Sequence, residues 1–393
     1  MTAEALAYPF NEDAGLDLDE AYAAAREAEG MVRVKMTYGE PAWLAARYAD
    51  ARLVLGDRRF SRAMEKEKDA PRLSPVMQDG GILQMDPPDH TRLRTLVAKA
   101  FTMRRVEQLR PRVAALASEL IAGMKAAGPP ADLVDAYALP IPVAVICELL
   151  GVPVADRPKF RVWSDAALTT SGLTPGEFER NREELRDYMR GLIAERRVRP
   201  QDDLMTALIE ARDVRDRLTE LELVDLCVGI LVAGHETTAS QIPNFVYALL
   251  DQHEQWERLC ADPDLVPAAV EELLRFVPLG AGAAFPRYAT EDVEVGDVLV
   301  RAGEPVLVAV GAANRDGLQF GDADKLRFDR PENHHLGFGH GVHHCLGAPL
   351  ARLELQEALR ALVTEMPELR LAGDIVWKTQ MIVRGPRSMP IGW

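Results

Sequence analysis

Between Arg104 and Ala127, Val106, Leu109, Val113, Leu116, Leu120, Ile121 and Met124 recur at steps of three and four. That is the period of a helix with one buried face. The same period predicts helices over 131–151, 176–197, 202–212 and 218–250. The last differs in kind: "LCVGILVA", 226–233, is apolar on every side, as in a helix buried all round. Strand patterns are fewer. "MVRVKMTYGEPAWLAAR" holds two apolar-rich runs about the turn Tyr38-Gly39-Glu40-Pro41. After Pro278, "VEVGDVLVRAGEPVLVAVGAANRD" alternates and turns at Gly296-Asp297 and Ala302-Gly303, and the tail 370–393 is also extended. The expectation is a mainly α fold with a smaller β lobe drawn from about 30–60, 284–315 and 370–393.

At 393 residues the chain has the length of two average domains or one large one. It shows no repeat and no Gly/Ser linker, and its β lobe draws on both ends, so one interlocked domain spanning 1–393 is expected. A net charge of −15 argues against nucleic-acid binding, which needs a basic surface. The acidic start "MTAEALAYPFNEDAGLDLDE" lacks a signal pattern, and no apolar run reaches the ~18 residues of a membrane span. Cys147, Cys227, Cys260 and Cys345 stand far apart with no C-x-x-C pair, which suits thiols in a reducing cytoplasm.

One of those cysteines has unusual surroundings. "FGHGVHHCLGAPLARLE", 338–354, sets Cys345 among histidines and close to glycines 337, 339, 341 and 347. A zinc site would need four converging ligands, yet His343, His344 and Cys345 are contiguous and no second cysteine pair exists. An inert buried cysteine would leave the glycines unexplained. A single thiolate beneath a flat macrocycle explains both, since glycine lets the backbone approach the ring. Cys345 also precedes a helix with Pro349 in its first turn, whose dipole favours a thiolate.

Within the apolar helix, Gly234, Glu236, Thr237 and Thr238 interrupt the pattern. A charge and two hydroxyls there are costly unless satisfied. Thr237 can bond a carbonyl one turn earlier and open a local groove, with Glu236 beside it as an acid able to relay protons. Pro243 removes a backbone donor six residues later, and a kink is expected there.

Phe338-x-x-Gly341-x-His343-x-Cys345-x-Gly347 resembles the haem-binding signature of the cytochrome P450 family, and Ala233 to Thr238 is similar to that family's A-G-x-(D/E)-T-T segment. The resemblance runs from "DPPDHTRLR" to the tail, nearest to soluble bacterial members that tailor natural products. It implies a triangular prism with haem b between the long central helix and the cysteine-bearing loop and helix. Cys345 would be the axial iron ligand, with Phe338 and Gly347 also against the haem. His90, Arg94, Arg287 and His343 match the family's propionate ligands. Glu272 and Arg275 match its buried pair, for whose third member Lys325, Arg327, Arg330 and His335 compete. The substrate pocket would include Val232, Ala233, Ala283, Ala284, Met381 and Ile382.

The activity implied is a monooxygenase that hydroxylates or epoxidises a bulky hydrophobic molecule, a polyketide, macrolide or terpenoid. Oxidative coupling, peroxide-driven oxidation and a haem sensor or carrier are the alternatives, and the Glu236–Thr237 pair argues against a sensor or peroxide user. No flavin or iron–sulfur motif supplies electrons, so the resemblance implies a ferredoxin with an NAD(P)H-dependent reductase serving a cytoplasmic monomer. From His90 to Arg112 the chain holds seven Lys/Arg against Glu107 alone, a basic surface suited to an acidic donor.

Overall fold

The computed structural model describes residues 5–11, 14–77, 80–214, 217–280, 282 and 285–393. Its axis is the helix Glu220–Asp251, 32 residues long, opened by a reciprocal cap between Thr219 and Glu222. The helix runs unbroken past Pro243. Pro140–Leu150 and the helix Ala348–Glu365, which follows Cys345, pack against it. Met103–Ala127 lies along the cysteine helix in turn. Leu223, Cys227, Leu231, Phe245 and Leu249 are all buried, so the all-round apolar pattern does mark a central helix.

The segment 131–151 is not one helix. A short strand Ala131–Asp132 leads into a wide π-type turn, Val134–Ala138, before the α-helix Pro140–Leu150. Pro140 has no N–H to continue an incoming helix but suits the first turn of a new one.

Six short strands form the main sheet, in the order 6–7, 32–35, 42–45, 305–308, 287–289 and 60–61. The expected hairpin is there, with Val32 opposite Leu44. Trp43 then pairs in parallel with Val306, and Arg287 lies across from Val306 on the next strand. The tail does not join this sheet. Arg370–Leu371 and Ala131–Asp132 flank Pro390–Gly392, while Val376–Trp377 pairs with Pro386–Ser388 in a hairpin that lies along the central helix. Strands of two or three residues carry too little pattern to reveal such partners. Among the described residues no helix is long and apolar enough to cross a membrane.

Glu272 and Arg275, on the helix Val266–Phe276, are fully buried and joined by two hydrogen bonds of 2.8 and 2.7 Å. Of the four candidates for a third member, Arg330 takes the place, its Nε 2.9 and 3.0 Å from the two Glu272 oxygens. Arg327 contributes only its backbone N–H, at 2.9 Å, and His335 bonds Glu271 instead. Removing the shared carboxylate leaves two buried guanidiniums uncompensated. Glu272→Ala should therefore lower unfolding free energy by about 3–5 kcal/mol, read from a denaturant midpoint, while Arg327→Ala should leave that midpoint almost unchanged.

Candidate functional site

The cysteine loop is closed by its own backbone. Cys345 N–H donates to Phe338 O at 2.8 Å and Gly339 N–H to Leu336 O at 2.8 Å. At Gly341, φ is +72° and a Cβ would lie 2.5 Å from Leu55 O, so only glycine fits. Arg352 stacks 4.6 Å over Phe338 and bonds Glu271 at 2.7 Å. The Cys345 residue is itself accessible. Desolvation by the surrounding protein raises its thiol pKa, opposed by the Gly347 and Ala348 N–H groups and by Arg94 and Arg352. The sulfur thus faces donors and cations that would favour a thiolate once a cation sits on it.

Beside it lies a cluster of bases with little to neutralise them. The rings of His90 and His343 are 4.3 Å apart, and both nitrogens of His343 are buried without a partner among the described residues. Burial, then Arg62 and Arg287, push the His343 pKa down to about 2. Arg62 falls to about 9 through burial and the nearby Arg287, and Arg287 to about 10 through burial. Arg62 Nε and Nη2 also lack partners among the described residues. Arg94 donates to His344 O at 2.6 Å. Unpaired buried donors of one charge sign call for an anion. Haem meets that call, with iron for the sulfur and two propionates for the cations, so the residues present fit the group. The structure places His90, Arg94, Arg287, His343 and Cys345 in one region.

Arg62 was not foreseen. In "DRRFSRAMEK" nothing distinguishes it from its neighbours. The pairing of Phe60–Ser61 with Tyr288–Ala289 carries it in beside Arg287.

On the central helix, Thr237 Oγ1 donates to Ala233 O at 2.9 Å, the back-bond the sequence suggests. Gly229 and Ala233 are exposed and Thr237 half-buried, a stripe one turn apart on an otherwise buried helix. Glu236 turns elsewhere. It is buried in an ion pair with Lys378 of the tail hairpin, whose Nζ also reaches Ser240 Oγ at 2.9 Å. His235 is fully buried, with Nδ1 2.8 Å from Leu231 O. Glu354, on the cysteine helix, is a second buried acid near Thr238, raised to about 8 by desolvation. Lys378 and Glu354 escaped the sequence reading because no motif carries them. Val232 is half-buried and Met381 buried, while Ile382, with Met77, Gln84, Thr170 and Phe285, lines a cavity of about 90 Å³. Ala283 and Ala284 lie outside the described residues. A broader surface depression of about 530 Å³, between Tyr48, Arg52 and His340, holds none of the site residues above.

A sequence model described as cytochrome P450 matches residues 160–266 and 257–366. The chain belongs to the cytochrome P450 family. It is 53% identical over 395 residues to the mycinamicin IV hydroxylase/epoxidase of Micromonospora griseorubida, covering 100% of both chains. It is 48% identical to the nocardicin C N-oxygenase of Nocardia uniformis subsp. tsuyamanensis, covering 98% of each. The crystal structure of HinD with NMFT and NO superimposes with a TM-score of 0.96 at 46% identity, over the full length of both. As a P450 monooxygenase it takes a haem, and the cysteine loop and cation cluster are the parts that suit one. Arg62→Leu should speed haem transfer to an excess apo-globin by about tenfold or more, the weight of one charged hydrogen bond. Arg62→Lys should recover part of the loss.

Proposed function

We propose that this P450 uses haem b to hydroxylate or epoxidise a bulky hydrophobic secondary metabolite of the polyketide, macrolide or terpenoid kind. When bound through Cys345, the haem would supply the oxygen-activating centre. His90, Arg94, Arg287, His343 and Arg62 would hold its propionates. Thr237 carries the reading: its hydroxyl hydrogen is committed to Ala233 O at 2.9 Å, which leaves the oxygen's lone pairs toward the accessible stripe of the helix. There the hydroxyl can receive and pass a proton, with Glu236 as the acid behind it. The similarity to the mycinamicin IV hydroxylase/epoxidase supports the substrate class.

The reading takes the enzyme as a cytoplasmic monomer served by a ferredoxin and its NAD(P)H-dependent reductase. Lys99, Arg104, Arg105 and Arg112 are exposed and suit an acidic donor. Three of the cations counted from the sequence are already engaged, Arg94 beside His344 and two others in ion pairs. Arg92 bonds Glu222 at 2.6 Å, and Arg110 bonds Glu107 at 2.8 Å and also Glu357. The docking patch is narrower than the charge run.

Thr237→Ala should keep haem and substrate affinity but divert electrons, so that hydrogen peroxide per NADH rises and product falls by about 10- to 100-fold. Unchanged coupling would remove Thr237 from oxygen activation. Reversing Arg104 and Arg105 to Glu should slow the first electron transfer and flatten its salt dependence. An unchanged rate would place docking elsewhere.

A further inference from the structure

Glu65 sits in the short helical turn Ala63–Glu67 and lines the cavity of about 90 Å³ together with Met77, Phe285 and Ile382. Its Oε2 is buried and without a partner among the described residues. The side chain of Gln84 serves the other end of the carboxylate. Gln84 Oε1 accepts from Gly80 N–H at 2.7 Å, so the donor to Glu65 is the neutral amide nitrogen. Burial raises the Glu65 pKa, opposed first by Arg62 and then by Gln84.

The cations around Glu65 have other commitments. Glu65 offsets part of the Arg62 charge, but Arg62 stands against Arg287 and His343, where a haem propionate would take the larger share. Arg72, also on the cavity wall, donates to Asp69 Oδ1 at 2.6 Å and to Ala70 O at 2.9 Å. Lys66 is exposed, where water and salt screen its charge. With the cradle filled, Glu65 is the undercompensated anion of this wall. A water molecule would satisfy its lone pairs but bring no charge, and a carboxylate held out of water without a counter-charge is costly.

The rest of the wall narrows the ligand. One carboxylate offers too few oxygens for a hard metal ion, which takes about six. Met77, Phe285 and Ile382 are apolar, and an aromatic ring attracts an alkylated ammonium. The cavity has room for such a head group and not for a whole polycyclic scaffold. It also lies close to the cradle, because the Phe285 ring is 4.2 Å from the Arg62 guanidinium.

We propose that Glu65 anchors a protonated alkylamine on the substrate and so selects scaffolds that carry a basic nitrogen. The amine N–H donates to Glu65 Oε2, and its carbon substituents pack on Met77, Phe285 and Ile382. Glu65 is thus a specificity-determining residue that takes no part in the oxygen chemistry. The proposal deepens, and rests on, the reading of this enzyme as one that acts on bulky hydrophobic molecules.

A matched pair of probes isolates the charge. N,N-dimethyldodecylamine is a cation near neutral pH, whereas N,N-dimethyldodecanamide is neutral and has the same carbon skeleton. Their dissociation constants would be measured on the ferric holoenzyme by calorimetry and by the shift in iron spin state. Wild type is expected to bind the amine about tenfold or more tightly than the amide, the weight of one charged hydrogen bond. Glu65→Gln should abolish that preference and leave the amide affinity as it was. Glu65→Asp keeps the charge but withdraws it by one methylene, and should weaken the amine alone. Ferric spectra and thermal midpoints check that each variant folds and holds haem; if Glu65→Gln does not, Glu65→Asp decides. An equal preference in wild type and Glu65→Gln would overturn the anchor, as would a wild type that binds the amine no better than the amide. The oxygen-activating reading stands on peroxide release in Thr237→Ala, which this binding measurement does not touch, so either can fail alone.

Discussion

The geometry of the sulfur depends on a carboxylate that never touches it. Glu272 accepts from Arg275, Arg330, the Arg327 backbone N–H and Asn333, which uses all of its capacity at zero exposure. Arg275, so oriented, donates onward to Asn314 O at 2.8 Å and Ala323 O at 2.7 Å. Asn314 Oδ1 then accepts from Leu336 N–H at 2.7 Å, and the turn from Leu336 through Phe338 closes on Cys345. Each link is a buried polar group with its partner supplied by the next. Such networks hold shape more than they add net stability. Here the shape held is a loop that must present one sulfur at one place.

The basic cluster around His343 solves buried charge in the opposite way. Arg62, Arg287 and Arg94 all lose basicity to burial, and a histidine near pKa 2 cannot share the charge. Asp86 is spent on the Ser61 hydroxyl and the Arg62 and Ala63 backbone, and Glu65 offsets part of the Arg62 charge. The Glu272 network is complete in itself, whereas the His343 cluster is complete only with a dianion. One region therefore reads as scaffold and the other as cradle, although both are arginine-rich.

What was legible in the sequence was whatever lies close together along it. Cys345 with its glycines, Thr237 with Ala233, and the long helices all show themselves within one or two turns of chain. What was illegible depends on pairings across the chain. Arg62 matters because a two-residue strand meets Tyr288–Ala289. Lys378 matters because a tail hairpin lies on the central helix, and Arg330 displaced three equal candidates only through where its loop folds back. The hairpin at 32–45 was visible because its turn is local, but its parallel neighbour at 305–308 was not.

The acid–alcohol pair shows how adjacency in sequence can mislead about adjacency in space. Consecutive residues of a helix point about 100° apart. Thr237 therefore belongs with Gly229 and Ala233 on the accessible stripe, and Glu236 belongs with Ser240 and Asn244 on a buried polar row. Read as a motif, the two residues are a single unit. In the fold they stand on the two sides of a partition, one on the accessible stripe and one toward buried charge. A helix is the economical way to build that partition, because its own hydrogen bonds are satisfied and it needs no water inside. Thr237's bond to Ala233 O loosens it only at the point where the two sides must communicate.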